Sequence, residues 1–215
     1  MDKEREPQAD STETPEHPGG LRALVLASSS PRRAEILSAV GWPFETCPAD
    51  IDETMRAGEE PSAYVRRLAR EKAGAVAATR LFGLVLGADT VVVIDEEVLG
   101  KPRDETDARR MLRLLSGRGH EVLTGIALVR AEDGRASVSF ERTHVRFAAL
   151  SDTEIDWYVS SGEPSGKAGA YAIQGRAALF VEAIEGDYWN VVGLPVRRVY
   201  ELAREFESAA AHGGG

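Results

Sequence analysis

Four clusters of charged and hydroxyl side chains stand out by type and spacing. The first is Ser28-Ser29-Ser30-Pro31-Arg32-Arg33. Serine suits an N-cap and proline the first helical position, so the run reads as a helix start. Free N–H groups there attract anions, and two arginines add forked donors suited to phosphate oxygens. A plain capped helix with two solvated arginines would use the same residues. The second cluster is Gly87-Ala88-Asp89-Thr90, read as the C-terminal end of the apolar strand Leu84-Val85-Leu86-Gly87-Ala88. Ligands gather at strand ends in α/β sheets. A carboxylate there can hold a divalent metal or take a proton from water; equally, it can bond its own backbone in a turn.

The third cluster is two lysines in unusual places. Lys72 interrupts the apolar stripe Val65, Leu68, Ala69, Ala73, Val76 of a helix expected over residues 62–78. Seven residues after Val65, it falls on the inward face, although a long stem can also snorkel out to water. Lys101 lies in Leu99-Gly100-Lys101-Pro102, where the proline fixes the chain beyond it. The fourth is the glycine-dense stretch 162–175, GEPSGKAGAYAIQG. Glycines let a backbone approach a ligand closely, and Glu163, Lys167 and Gln174 thread polar groups through it. A flexible connector is the alternative.

Several chemistries are excluded. Gly166-Lys167 ends like a P-loop, but Ser161 stands where its first glycine belongs and Ala168 where its metal-binding hydroxyl belongs. No dinucleotide, nucleophile-elbow or zincin motif occurs. The four histidines have no zinc-like spacing.

The elements that must position these groups follow from pattern. Leu24–Ala27 reads as a strand, followed by a helix from Pro31 that stops at Gly41. After the 62–78 helix come the strand ending at Asp89, the run Val91–Ile94 and an acidic turn, Asp95-Glu96-Glu97. A helix near 104–115 closes at Gly117, and strands follow near 121–130 and 137–148. Ser151 and Glu154 form a capping box with Leu150 and Ile155 at the staple positions, starting a helix that ends at Gly162. A strand near 179–184 and a helix after Pro195, with Val199, Leu202, Ala203 and Phe206 inward, complete the chain. Alternating strands and helices, with some hairpins, imply an α/β fold with a mixed sheet.

Of 215 residues 43% are apolar, enough for one sizeable domain. The formal charge of −9 argues against bulk-charge binding of DNA or RNA, yet leaves room for a basic pocket. One cysteine, Cys47, permits no intrachain disulfide. No apolar run approaches the roughly 18 residues of a membrane helix, and no secretory signal core opens the chain. The expectation is a soluble intracellular protein that binds no membrane. Residues 1–20 hold six acidic and two basic residues, with only Met1 and Ala9 apolar, and read as a disordered acidic tail. A single domain of residues 21–208 follows, then a flexible tail over 209–215.

From residue 21 to about 205 the chain resembles the Maf family of nucleoside triphosphate pyrophosphatases. The matching stretches, in the family's order, are LASSSPRRAEIL, YVRRLAREKA, GADTVV, LGKP, LSGRGHEVLTGIAL, GEPSGKAGAYAIQG and GDYWNVVGLP. The resemblance implies an elongated mixed β-sheet flanked by helices, in two lobes with a central cleft, related to inosine triphosphatases. It implies Asp89 as catalytic acceptor, with Glu53 and Asp89 near a divalent cation, Mg²⁺ or Mn²⁺. Ser28, Ser30, Arg33, Lys72, Lys101 and Lys167 would bind phosphate, and Arg32, Thr90 and Gln174 would set base preference. That triplet looks like the branch acting on dTTP and UTP rather than on 7-methyl-GTP. A cytoplasmic location and a homodimer are also implied. The chain departs from the family at Gly166, where aspartate is common, at the bulky Trp189, and in its N-terminal extension.

Two further readings stay beside this one. The family name derives from an effect on septum formation, so the chain could be a nucleotide-binding regulator without turnover. Alternatively, the same chemistry could act on a purine nucleotide.

Overall fold

The structure, a computed structural model, describes residues 23–211, so the acidic segment 1–20 and residues 212–215 lie outside the described residues. Seven strands form one mixed sheet: β1 (Leu24–Leu26), β2 (Phe44–Thr46), β3 (Leu84–Ile94), β4 (Glu97–Leu99), β5 (Gly119–Arg130), β6 (Ala136–Phe147) and β7 (Val181–Glu185). Its order is β2-β1-β3-β5-β6-β7, with β4 also on β3. β1 runs parallel to β2 and β3, and the other pairs are antiparallel. The helices are α1 (Pro31–Ala39), α2 (Pro61–Ala77), α3 (Glu105–Leu115), α4 (Asp152–Ser160), α5 (Tyr188–Val192) and α6 (Val196–Ala211). The α/β fold with a mixed sheet is as the sequence implied.

Strand alternation sorts the core into two layers. Val25, Val85, Ala127 and Val129 pack under Ala69, Ala73 and Val76 of α2. Their neighbours Leu24, Leu26, Leu86, Ile126 and Leu128 face the opposite way, into the larger core with α1, α3, α4 and α6. Helix α2 lies almost on the backbone of the sheet. A Cβ at Gly87 would run into the Ala69 carbonyl, and one at Gly125 into the Val65 carbonyl. Only glycine permits that approach.

The register of β3 shapes the molecule. β5 pairs with it from Leu84 to Val93 along one edge. On the other edge β1 covers Leu84–Leu86 and β4 covers Val92–Ile94. Residues 87–91 of that edge have neither strand, so the sheet opens there.

Asp89 is therefore not at a strand end, as the sequence suggested, but in the middle of an eleven-residue strand. Gly87 does not break the strand because α2 packs on it. The expected acidic turn is shorter: Asp95 and Glu96 take positive φ of 47° and 67°, a two-residue hairpin turn, and Glu97 already begins β4. The strand near 179–184 starts at Val181, after a 3₁₀ turn over Arg176–Phe180. Sequence pattern missed β2, β4 and α5, elements of three to five residues that exist through their partners. Helix α6 runs through Ala211, past the expected domain edge at 208. The capping box on α4 is present: Ser151 N–H donates to Glu154 Oε2 at 2.8 Å, and Glu154 N–H returns to Ser151 Oγ at 3.3 Å.

Candidate active site

The gap in the β3 edge is the mouth of a cleft of about 250 Å³, and all eleven candidate residues named from sequence line it. Asp89 and Thr90 are adjacent strand residues whose side chains point to opposite faces. Both reach the same cleft because the strand edge between them is open.

On the α2 face, the Lys72 ammonium donates to Asp89 Oδ1 at 2.7 Å and pairs with Glu53 Oε1 at 2.6 Å. Lys72 and Asp89 are buried, at 7% and 8% exposure. Lys72 therefore does not snorkel to water; the buried Asp89 and the more exposed Glu53 meet its charge. Glu53 comes from the irregular segment between β2 and α2, and α2 straps that segment down. Tyr64 Oη donates to the Glu53 carbonyl at 2.8 Å, and Arg67 Nη2 to the Thr54 carbonyl at 3.1 Å. Burial, with the charges of Asp89 and Glu53, pushes the Tyr64 phenol up to about 12, so it remains a donor. Burial alone would raise Glu53, but the bond and charge of Lys72, then Lys101 and Arg33, hold its carboxyl below the usual range.

On the other face sits Arg33. Its Nε donates to the Gly193 carbonyl at 2.9 Å, Nη1 to Ser28 Oγ at 2.9 Å and Nη2 to Thr90 Oγ1 at 3.2 Å. Ser28 Oγ also accepts from the Ser30 N–H at 3.2 Å, closing the turn before α1. Behind Thr90, Thr124 Oγ1 lies 2.9 Å away and itself donates to the Asn190 carbonyl at 3.3 Å. Asn190, fully buried, anchors α5 by donating to the Val122 carbonyl and to Thr143 Oγ1.

The remaining cations complete the wall. Lys167 donates to the Glu163 carbonyl at 2.6 Å, and Arg32 and Lys101 make no direct ion pair with a carboxylate among the described residues, although the charge of Glu35 acts on Arg32 and that of Lys101 on Glu53. Arg32 and Arg33 sit below the ordinary arginine range, each chiefly through burial. Lys167 is also lowered, by burial and then by the charge of Arg32. An anion in the cleft would relieve all three. Gln174 is exposed on the same wall.

Among the described residues no group of three His, Cys, Asp or Glu side chains could hold a metal ion. Asp89 and Glu53 do converge on one ammonium. Two carboxylates beside a cationic cleft fit a hard cation that takes its other ligands from water and phosphate oxygens.

The family described as Maf-like protein matches residues 23–206. This chain belongs to the Maf family. The Maf chain is 51% identical over 194 residues to the dTTP/UTP pyrophosphatase of Symbiobacterium thermophilum, covering 90% of this chain and 99% of that protein. It is 46% identical over 192 residues to the dTTP/UTP pyrophosphatase of Bacillus cytotoxicus, and 47% identical to that of Bacillus mycoides, covering 89% of this chain and all of each relative.

Sequence reasoning missed the supporting residues of the Maf site. Tyr64 and Arg67 lie on the same helix as Lys72, but their partners are carbonyls in a loop without pattern. Thr124 carried a weak signal, a hydroxyl in an otherwise apolar strand run. Asn190 lay inside a family-like stretch with no role attached.

Proposed function

We propose that this Maf protein hydrolyses nucleoside triphosphates, dTTP and UTP first among them, to the monophosphate and pyrophosphate. The observation that carries the reading is the cleft itself. Asp89, Lys72 and Glu53 stand on one side of β3, and Arg33, Arg32, Lys101 and Lys167 surround the rest. The names of the relatives support the substrate class.

In this reading water attacks the α-phosphorus and pyrophosphate leaves. Asp89 accepts the proton of the attacking water, and Lys72 holds the Asp89 carboxylate in place. Arg33, fixed from behind by three acceptors, presents its remaining N–H groups to phosphate oxygens. Ser28 and Ser30 at the α1 N-terminus, with Lys101 and Lys167, take up charge on the leaving group. A divalent cation such as Mg²⁺ or Mn²⁺, held by Asp89 and Glu53, would supply further neutralisation of the phosphates. Arg32, Thr90 and Gln174 face the base. The reading includes a cytoplasmic homodimer; no helix among the described residues is long and apolar enough to cross a membrane.

The test is pyrophosphate release from a panel of nucleoside triphosphates with Mg²⁺ or Mn²⁺, beside Asp89→Asn. Turnover of dTTP and UTP that collapses in the variant is expected. Turnover confined to purine nucleotides would move the substrate class. Tight binding with no release would replace the enzyme with a nucleotide-binding regulator.

A further inference from the structure

Residues 162–176 supply a whole wall of the cleft, through Lys167, Ala168, Tyr171, Ala172, Ile173 and Gln174. This wall belongs to no strand, and its helical pieces are a 3₁₀ turn over Ala168–Ala170 and the start of a second one at Arg176. Ladder hydrogen bonds therefore do not hold it, and the question is what does.

Its first half is pinned by the Gly169 N–H on the Gly100 carbonyl at 3.1 Å and by Tyr171 Oη against His120 Nε2 at 2.9 Å, and the stretch around Gln174 is tied by one pair of residues behind the wall. Tyr158, fully buried on α4, accepts from the Ala172 N–H at 3.1 Å and donates to Glu163 Oε1 at 2.9 Å. Glu163 Oε2 accepts from the Arg176 N–H at 3.1 Å. The Glu163 backbone carbonyl accepts from Lys167 Nζ at 2.6 Å. Gly175 leaves no room for a side chain because the Glu163 carboxylate occupies the place of its Cβ. The pair thus ties down Ala172 and Arg176 through its side chains and Lys167 through the Glu163 carbonyl, on both sides of Ile173 and Gln174, with the carboxylate seated against Gly175. Neither Tyr158 nor Glu163 lines the cleft.

Gln174 is an amide, with one acceptor and a two-hydrogen donor to offer a pyrimidine edge. Uracil and thymine present a ring N–H between two carbonyls, whereas cytosine presents an acceptor nitrogen beside an amino group. An amide can distinguish these only if its backbone stands at a fixed distance from the phosphate-binding groups. We propose that Tyr158 and Glu163 are positioning residues that fix this wall and thereby set which base the cleft accepts. The inference rests on the proposed nucleotide chemistry and names the device behind its selectivity.

The test uses Tyr158→Phe, which removes one oxygen and no bulk, with kcat and KM measured for UTP, dTTP and CTP beside the unaltered chain. Asp89, Lys72 and Glu53 are carried by β3, α2 and the segment before α2, so kcat for UTP should stay within about twofold. KM for UTP should rise about 5- to 10-fold, the scale of one buried hydrogen bond. The UTP-over-CTP ratio of kcat/KM should fall about threefold or more, a conservative share of that same bond. Glu163→Gln keeps an oxygen for one of the two donors and should fall between the unaltered chain and Glu163→Ala. An unchanged ratio, or an equal loss on every nucleotide, would overturn the proposal by reducing the pair to a purely structural role. Should Tyr158→Phe not fold, Glu163→Gln carries the same comparison. If the unaltered chain binds nucleotides without turning them over, the enzymatic reading falls alone, and the ratio is then read from binding affinities.

Discussion

The two faces of β3 at the cleft are built by different means. On the α2 face Lys72 and Asp89 stand on regular elements in near backbone contact, where Gly87 and Gly125 let the helix settle onto the sheet and the two side chains meet at 2.7 Å; only Glu53 comes from an irregular segment. On the opposite face the parts are a turn, a short helix and an irregular segment, held by Ser28, Thr124, Asn190, Tyr158 and Glu163. Backbone packing leaves few alternative arrangements, whereas side-chain ties can be lost one at a time. The face that would carry the proton transfer is thus built to be rigid. The face that would read the nucleotide is built from parts that single substitutions can retune.

The sharpest way to break this contrast is Asp89→Asn. It should cost on the order of 10²–10⁴ in kcat, with nucleotide binding little changed. Steady-state kinetics and a binding titration separate the two; equal losses in both would mean that the faces do not divide chemistry from recognition.

Next comes stability. Gly125→Ala drives a methyl into the Val65 carbonyl and should cost about 2–3 kcal/mol. Gly166→Ala, at φ +70° with open space around its Cβ, should cost only about 1–2 kcal/mol, from backbone strain. Urea midpoints of the two variants compare the faces directly.

Acid should act on the loop face. His120 lies in a buried aromatic cluster with Phe147 and bonds Tyr171 Oη at 2.9 Å, while its Nδ1 has no hydrogen-bond partner among the described residues. Burial lowers its imidazole to about 4, below the unfolded value of 6.5. The neutral ring thus contributes stability above pH 6.5 that is lost as pH falls toward 4. Between pH 7.5 and 5 the loss should be about 2 kcal/mol. His120→Phe should flatten the slope, and a persisting slope would assign it to other groups.

The smallest effect concerns Lys167, lowered by burial and by Arg32. Its protonated form binds an anion, so KM for a triphosphate should begin to rise at a lower alkaline pH than an ordinary lysine allows. The change should be a few-fold, and Lys167→Arg should move it to higher pH, because guanidinium stays charged.

Much of the α2 face was legible in the chain. An apolar stripe interrupted by Lys72, and a carboxylate beside Gly87 in an apolar run, are local patterns, and local patterns survive without tertiary knowledge. The loop face was legible only as a list of polar groups in glycine-rich surroundings. Glu163 showed its charge but not its target, since its partners are a phenol on α4 and a backbone N–H thirteen residues on.

By itself, then, the sequence determined the five longer helices, the long strands β5 and β6, the capping box and the residue types that could meet a phosphate. Those follow from periodicity, propensity and charge, which act between near neighbours. Only the tertiary structure decided that β1 stops at Leu26 and β4 ends opposite Val92, so that Asp89 lies in mid-strand at an open edge. Only the fold brought Glu53 onto Lys72 and set Thr124 and Asn190 behind Arg33. Strand pairing and strand ending depend on partners tens of residues away, and no local pattern specifies them.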